Sequence, residues 1–172
     1  MRIYTVALTA ALTLSASSLM AVTHAEAADQ SLFAPPASTG SCAFKKTEFS
    51  ASTPSQQTAS ASFVNLGDGG SISFTQKKAG CVAGTFFANV GNTLSGDNVH
   101  LQVLLDGATE CAPLTTGDYV FANADVDFSS HAVGFFCGTN IGSGSHTIQV
   151  QWSVGIGGTA QMYQHMLEVN HA

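Results

Sequence analysis

Charge is scarce in this chain, and arginine is almost missing. Of 172 residues only 9% are Asp, Glu, Lys or Arg, and Arg2 is the single arginine. Arginine is the side chain that grips phosphate and carboxylate through two parallel hydrogen bonds. With a formal net charge of −6, its absence excludes a nucleic-acid interface, which needs a basic face to release counterions. A membrane-spanning helix is excluded as well, because it needs about 18–20 strongly apolar residues. The one long apolar stretch, residues 3–22, is diluted by Thr5, Thr9, Thr13, Ser15, Ser17 and Ser18. No CxxC pair, Gly-x-Ser-x-Gly or His-Glu-x-x-His occurs. That removes redox motifs and zinc knuckles, the nucleophile elbow and the zincin site.

The first 28 residues are the most informative part of what remains. Arg2 supplies a positive start, residues 3–22 an uncharged apolar run, and Ala25-Glu26-Ala27 the small residues a signal peptidase reads before Ala28. Residues 1–27 are expected to be a cleaved secretory signal, and residues 28–40, with Pro35-Pro36, a flexible leader. A domain over residues 41–172 follows, exported to the periplasm, the cell surface or the medium. Its four cysteines, Cys42, Cys81, Cys111 and Cys137, are even in number and widely spaced, which in an exported chain predicts two disulfides. Sequential pairing, Cys42–Cys81 and Cys111–Cys137, is expected as one of three connectivities.

Gly, Ser and Thr, poor helix formers, make up much of the polar surface. No segment after the signal carries a helical apolar period of ten residues. Short strands between glycine turns are predicted instead. Residues 63–66 and 71–75 flank Gly67-Asp68-Gly69-Gly70, a hairpin signal. Residues 82–90 place Val82, Phe86, Ala88 and Val90 on one face, and residues 99–105 alternate up to the Asp106-Gly107 turn. Residues 51–61 read as a loop and residues 119–128 as a strand. Residues 131–137 are apolar on both faces and so are expected in a sheet centre. The cleanest strand is 146–154, with Ile148, Val150, Trp152 and Val154 on the core side. A last strand runs from about residue 161 to 169. Eight to ten strands predict an all-β, two-sheet antiparallel sandwich of jelly-roll type.

The run Ser145-His146-Thr147-Ile148-Gln149-Val150-Gln151-Trp152, with its Gly-rich turn and closing strand, resembles the final hairpin of jelly-roll modules in phage-tail and secreted surface proteins. Residues 99–107 are similar to an inner hairpin of such modules. The resemblance implies a binding or assembly role, often oligomeric, and carries over no catalytic residue. The four cysteines depart from it.

Gly142-Ser143-Gly144-Ser145-His146 only imitates a hydrolase elbow, and adjacent strand residues such as Ser145 and His146 point to opposite faces. The scattered histidines His100, His131, His146, His165 and His171 are expected at surfaces or strand ends. Asn123, Asp125 and Asp127 present oxygen at alternate positions, the spacing that gathers ligands around calcium, although Phe128 takes the place where an EF-hand loop needs glycine. Glu110, Asp118, Asp125 and Asp127 could supply the two carboxylates of a glycosidase. A sugar platform would need exposed rings, for which Tyr119, Tyr163 and one ring each of Phe86-Phe87 and Phe135-Phe136 are available. The expected function is a non-enzymatic surface, envelope or assembly module that binds a protein partner or a glycan, with no cofactor other than calcium and with possible homo-oligomers. The alternative is a secreted hydrolase or enzyme inhibitor with a loop-built site.

Overall fold

The computed structural model describes residues 42–113, 119–123 and 127–172. The expected signal, the leader and Asp118 and Asp125 lie outside the described residues. Eleven strands form two antiparallel sheets and no helix is present among these residues. The five-stranded sheet holds β1 (Lys46–Ser52), β2 (Gln56–Thr58), β5 (Gly80–Asn92), β9 (Ser129–Ile141) and β11 (Ala160–His171), in the order β1-β11-β5-β9 with β2 also on β11. The six-stranded sheet holds β3 (Val64–Asn65), β4 (Ser71–Gln76), β6 (Asn98–Leu105), β7 (Thr109–Glu110), β8 (Val120–Asn123) and β10 (Gly144–Val154). Its order is β3-β10-β6-β7, with β4 on β10 and β8 on β6.

The two-residue period decides which side chains meet between the sheets. On β5, Val82, Phe86, Ala88 and Val90 are buried, and on β10 so are Ile148, Val150, Trp152 and Val154, as their alternation predicts. Leu101 and Val103 of β6 and Leu167 and Val169 of β11 complete one continuous core. Full burial of each such aliphatic or aromatic side chain contributes about 1.5–3 kcal/mol.

Several local expectations are corrected. The Gly155–Gly158 turn is no hairpin: β10 and β11 lie in opposite sheets, so this segment crosses from one layer to the other. Residues 67–70 are no hairpin either. β3 and β4 pair with the same side of β10, and Val150 bonds both Leu66 and Gly70, so the glycines loop out of a single interrupted edge. The strand around residues 131–137 is not central, because β9 ends its sheet. Its outer edge is met by the segment after β7, where Ala112 and Phe136 exchange two backbone hydrogen bonds of 2.9 and 2.8 Å. Part of the loop expected at 51–61 is β2, paired with β11. Of the strand expected at 119–128, β8 covers Val120–Asn123, residues 124–126 are not described, and Phe128 precedes β9.

Both flanks of the sandwich are tied. Cys111 follows β7 and Cys137 lies on β9, so their disulfide joins the two sheets. The second bridge, Cys42–Cys81, ties the segment before β1 to β5. On the opposite flank the tie is polar. The Gln56 amide donates to the Asp68 carbonyl (2.8 Å) and accepts from Gly67 N (2.7 Å). His165 on β11 sits 2.6 Å from that same carbonyl and 2.9 Å from the carbonyl of Tyr163.

Candidate functional site

The two outer faces of the sandwich differ sharply in chemistry. On the six-stranded sheet, outward positions carry amides and hydroxyls bonded across strands. Gln102 donates to Gln151, Gln151 donates to Asn65 (2.7 Å), and Ser73 meets Thr147 (3.3 Å). Such a ladder satisfies its own polar groups and water.

The outer face of the five-stranded sheet is apolar in its middle. The register aligns Ala51 of β1, Met166 of β11, Phe87 of β5 and Ala132 of β9 in one row across four strands. Phe49, opposite Glu168, stands one step along β1 and is 76% exposed. Phe87 and Met166 are exposed as well. Phe86 and Phe135 turn inward and are buried, so each Phe pair divides between the faces as the sequence predicts.

A bulge extends this surface. Between Met162, paired with Val90, and His165, paired with Ala88, two residues of β11 oppose the single Asn89. An extra residue re-aims neighbouring side chains, and both Tyr163 and Gln164 are exposed. Phe128 meets the Tyr163 ring edge-on at a centroid distance of 4.6 Å. It lies over Gly91, where a Cβ would stand 2.9 Å from the Phe128 ring, so any larger residue at 91 would displace it. Phe49, Met166, Phe87, Tyr163 and Phe128 thus form a track of roughly 20 Å at ~3.3 Å per strand residue. Beyond its far end Gly91, Asn92, Thr93, Phe128 and Gln161 line a cleft of about 270 Å³.

The titratable residues do structural work. His146, nearly buried, donates from Nδ1 to Asp106 Oδ2 (2.8 Å) and from Nε2 to the Gly142 carbonyl (3.0 Å). The Asp106 hydrogen bond holds the His146 pKa above the usual imidazole value. For Asp106, burial opposes ionisation, but donation by His146 and by Thr147 N outweighs it and its pKa is lowered. With both nitrogens committed, His146 is no base for Ser145, whose hydroxyl lies near Thr75 instead. His165 and His171, expected at surfaces or strand ends, are buried; His171 does end β11, and it packs against the Phe74 ring at 4.6 Å.

Asp97, in the loop before β6, is fully buried. Its carboxylate accepts from Ile156 N (2.6 Å) and Gly158 N (2.8 Å), pinning the crossing between the sheets. Burial opposes its charge, yet these backbone donors prevail and the pKa is lowered. A Cβ at Gly158 would stand 2.7 Å from Asp97 Oδ2, so the Gly-rich turn is needed for this approach.

Asn123 ends β8 and Asp127 precedes β9, both exposed, and their expected calcium partner Asp125 is not described. Glu110 lies on β7. Among the described residues no group of three His, Cys, Asp or Glu side chains is gathered to hold a metal. Ser129 Oγ stands 2.7 Å from His131 Nε2, a pair the sequence reading did not consider. Burial holds the His131 pKa below its usual value.

No protein-family model and no curated protein matches the chain. Among solved structures it is similar to a chain in the structure of the infectious bursal disease virus Gx strain, at 13% identity and a TM-score of 0.39. The match covers 74% of this chain and 32% of that one, so the chain spans about a third of the viral chain's length.

Proposed function

We propose that the chain is an exported, non-enzymatic binding module that engages a partner, protein or glycan, through the outer face of its five-stranded sheet. The observation that carries this reading is the aligned row of Ala51, Met166, Phe87 and Ala132 with Phe49 beside it. Apolar side chains gathered on one face, while the opposite face carries a self-satisfied polar ladder, support reading the apolar face as the one that meets a partner. Two disulfides and the N-terminal pattern support export.

The test is capture by the mature chain on a glycan array and in pull-downs, wild type against the double variant Phe49→Ser, Phe87→Ser. Both side chains are exposed, so the variant should keep its melting temperature within a few degrees and lose capture. Undiminished capture by a folded double variant would overturn the assignment of the face.

One observation favours a hydrolase, the Ser129–His131 contact with a neutral imidazole. Against it, the two residues sit two apart on one strand, and among the described residues no carboxylate lies within ion-pair distance of His131. Covalent labelling of Ser129 by a fluorophosphonate would favour the hydrolase reading.

A further inference from the structure

We infer that the cleft between Phe128 and Gln161, at the far end of this face, is a subsite for one neutral pyranose ring. The inference rests on the binding role proposed for the face and names the ligand class of one part of it. Gly91 and Gln161 are cross-strand partners on β5 and β11, and both line the cleft. Phe128 forms a wall, and its edge-on contact with Tyr163 at 4.6 Å fixes the ring before any ligand arrives. Preorganisation of that kind removes part of the entropic cost of binding.

The lining chemistry selects the ligand. No charged side chain lines the cleft. An anionic ligand would call for Arg or Lys donors, and a cation for carboxylates. A purely apolar ligand would cover the amide of Gln161, which has no side-chain hydrogen bond among the described residues, and leave it unpaired. An amide offers both donors and an acceptor, matching hydroxyls that do both. The Thr93 hydroxyl accepts from Thr159 N (2.9 Å) and keeps its own hydrogen to donate. A pyranose presents C–H groups on one face, for the Phe128 ring, and hydroxyls at its rim, for Gln161 and Thr93. The cleft volume, about 270 Å³, is below the ~300 Å³ at which pockets begin to hold drug-sized molecules, which fits one ring.

The test is a titration of the ¹⁵N-labelled mature chain with methyl α-glucopyranoside, methyl β-galactopyranoside, methyl α-mannopyranoside and N-acetylglucosamine, followed by amide chemical shifts. At least one sugar should produce saturable shifts at Gly91, Thr93 and Gln161 with a Kd of roughly millimolar, the range for about 13 non-hydrogen atoms at ordinary ligand efficiency. Phe128→Ala and Gln161→Leu should each weaken binding about tenfold or more. Phe128→Leu keeps apolar bulk without the ring and should weaken it too if Phe128→Ala disturbs the fold. Absence of saturable shifts with all four sugars overturns the subsite, as does unchanged affinity in folded Phe128 and Gln161 variants. The Phe49→Ser, Phe87→Ser capture assay reads other residues, so the subsite can fail while the binding face stands, and the reverse.

Discussion

Replacing Asp97 by Asn keeps the shape of the side chain and removes its charge, at a position closed off from solvent. The carboxylate now receives two backbone N–H groups, from Ile156 at 2.6 Å and Gly158 at 2.8 Å. Asparagine has one carbonyl oxygen and an NH₂ group, so one of these donors would face another donor. The loss combines a charge-assisted hydrogen bond and an unsatisfied buried N–H, each worth roughly 1.5–3 and 1–3 kcal/mol. Local opening of the segment that carries Ile156 and Gly158 should admit water to the orphaned group. The expected destabilisation is therefore about 2–4 kcal/mol. The pH dependence follows from the lowered pKa of Asp97. A depressed carboxyl pKa gives stability that is present above the unfolded value, 3.8, and lost as pH falls through the folded pKa. Urea unfolding at pH 7 and pH 3, followed by far-UV circular dichroism, should show the difference between wild type and Asp97→Asn shrinking at pH 3. A loss below about 0.5 kcal/mol at pH 7, or the same difference at both pH values, would refute the claim that this charge pins the crossing.

The remaining predictions concern other parts of the molecule. Trp152→Ala should cost about 3–5 kcal/mol, because the ring is buried beside Leu101 and Val64; native tryptophan emission that is red-shifted and easily quenched would show it to be exposed. By the chain-entropy model, removing Cys111–Cys137 should cost about 3.5 kcal/mol and Cys42–Cys81 about 3.9 kcal/mol, measured by unfolding the paired Cys→Ala variants. The raised pKa of His146 gives stability that is full below the unfolded value of 6.5 and lost as pH rises through the folded one. The Asp106 contribution is lost as pH falls below about 3.8. His146→Gln should therefore flatten the decline in melting temperature between pH 6 and pH 8, and an unchanged slope would assign that decline elsewhere. The exported protein should begin at Ala28, and its intact mass checks this.

The faces of β5 and β10 were legible because a two-residue period survives in the sequence wherever one side of a strand is buried. Which strands become neighbours was not. The segment Gly155-Ile156-Gly157-Gly158 has the composition of a hairpin turn, and it is drawn across to the other sheet by Asp97, 59 residues before Ile156. No local signal separates that aspartate, set among Ser95, Gly96 and Asn98, from a solvated loop residue. The apolar row was partly visible. Apolar doublets such as Phe86-Phe87 and Met166-Leu167 place one member on each face of a strand, so they announce outward apolar residues. Their alignment depends on register between β1, β11 and β5, which is set by pairing over long sequence distances. His165 and His171 looked like strand-end residues, and what covers them comes from distant segments: the Asp68 loop over His165 and Phe74 of β4 over His171.

The Cys42–Cys81 bridge has a mechanical consequence. Tension applied to the chain ahead of Cys42 passes through the disulfide into β5, a strand held on one side by β11 and on the other by β9. The chain between the two cysteines, with β1 to β4, is left slack by that route. Once the bridge is reduced, the same pull arrives at Lys46, at the start of an edge strand, and strips β1 from β11 one residue pair after another. A module tethered through this segment would hold its shape under load only while that bond is oxidised.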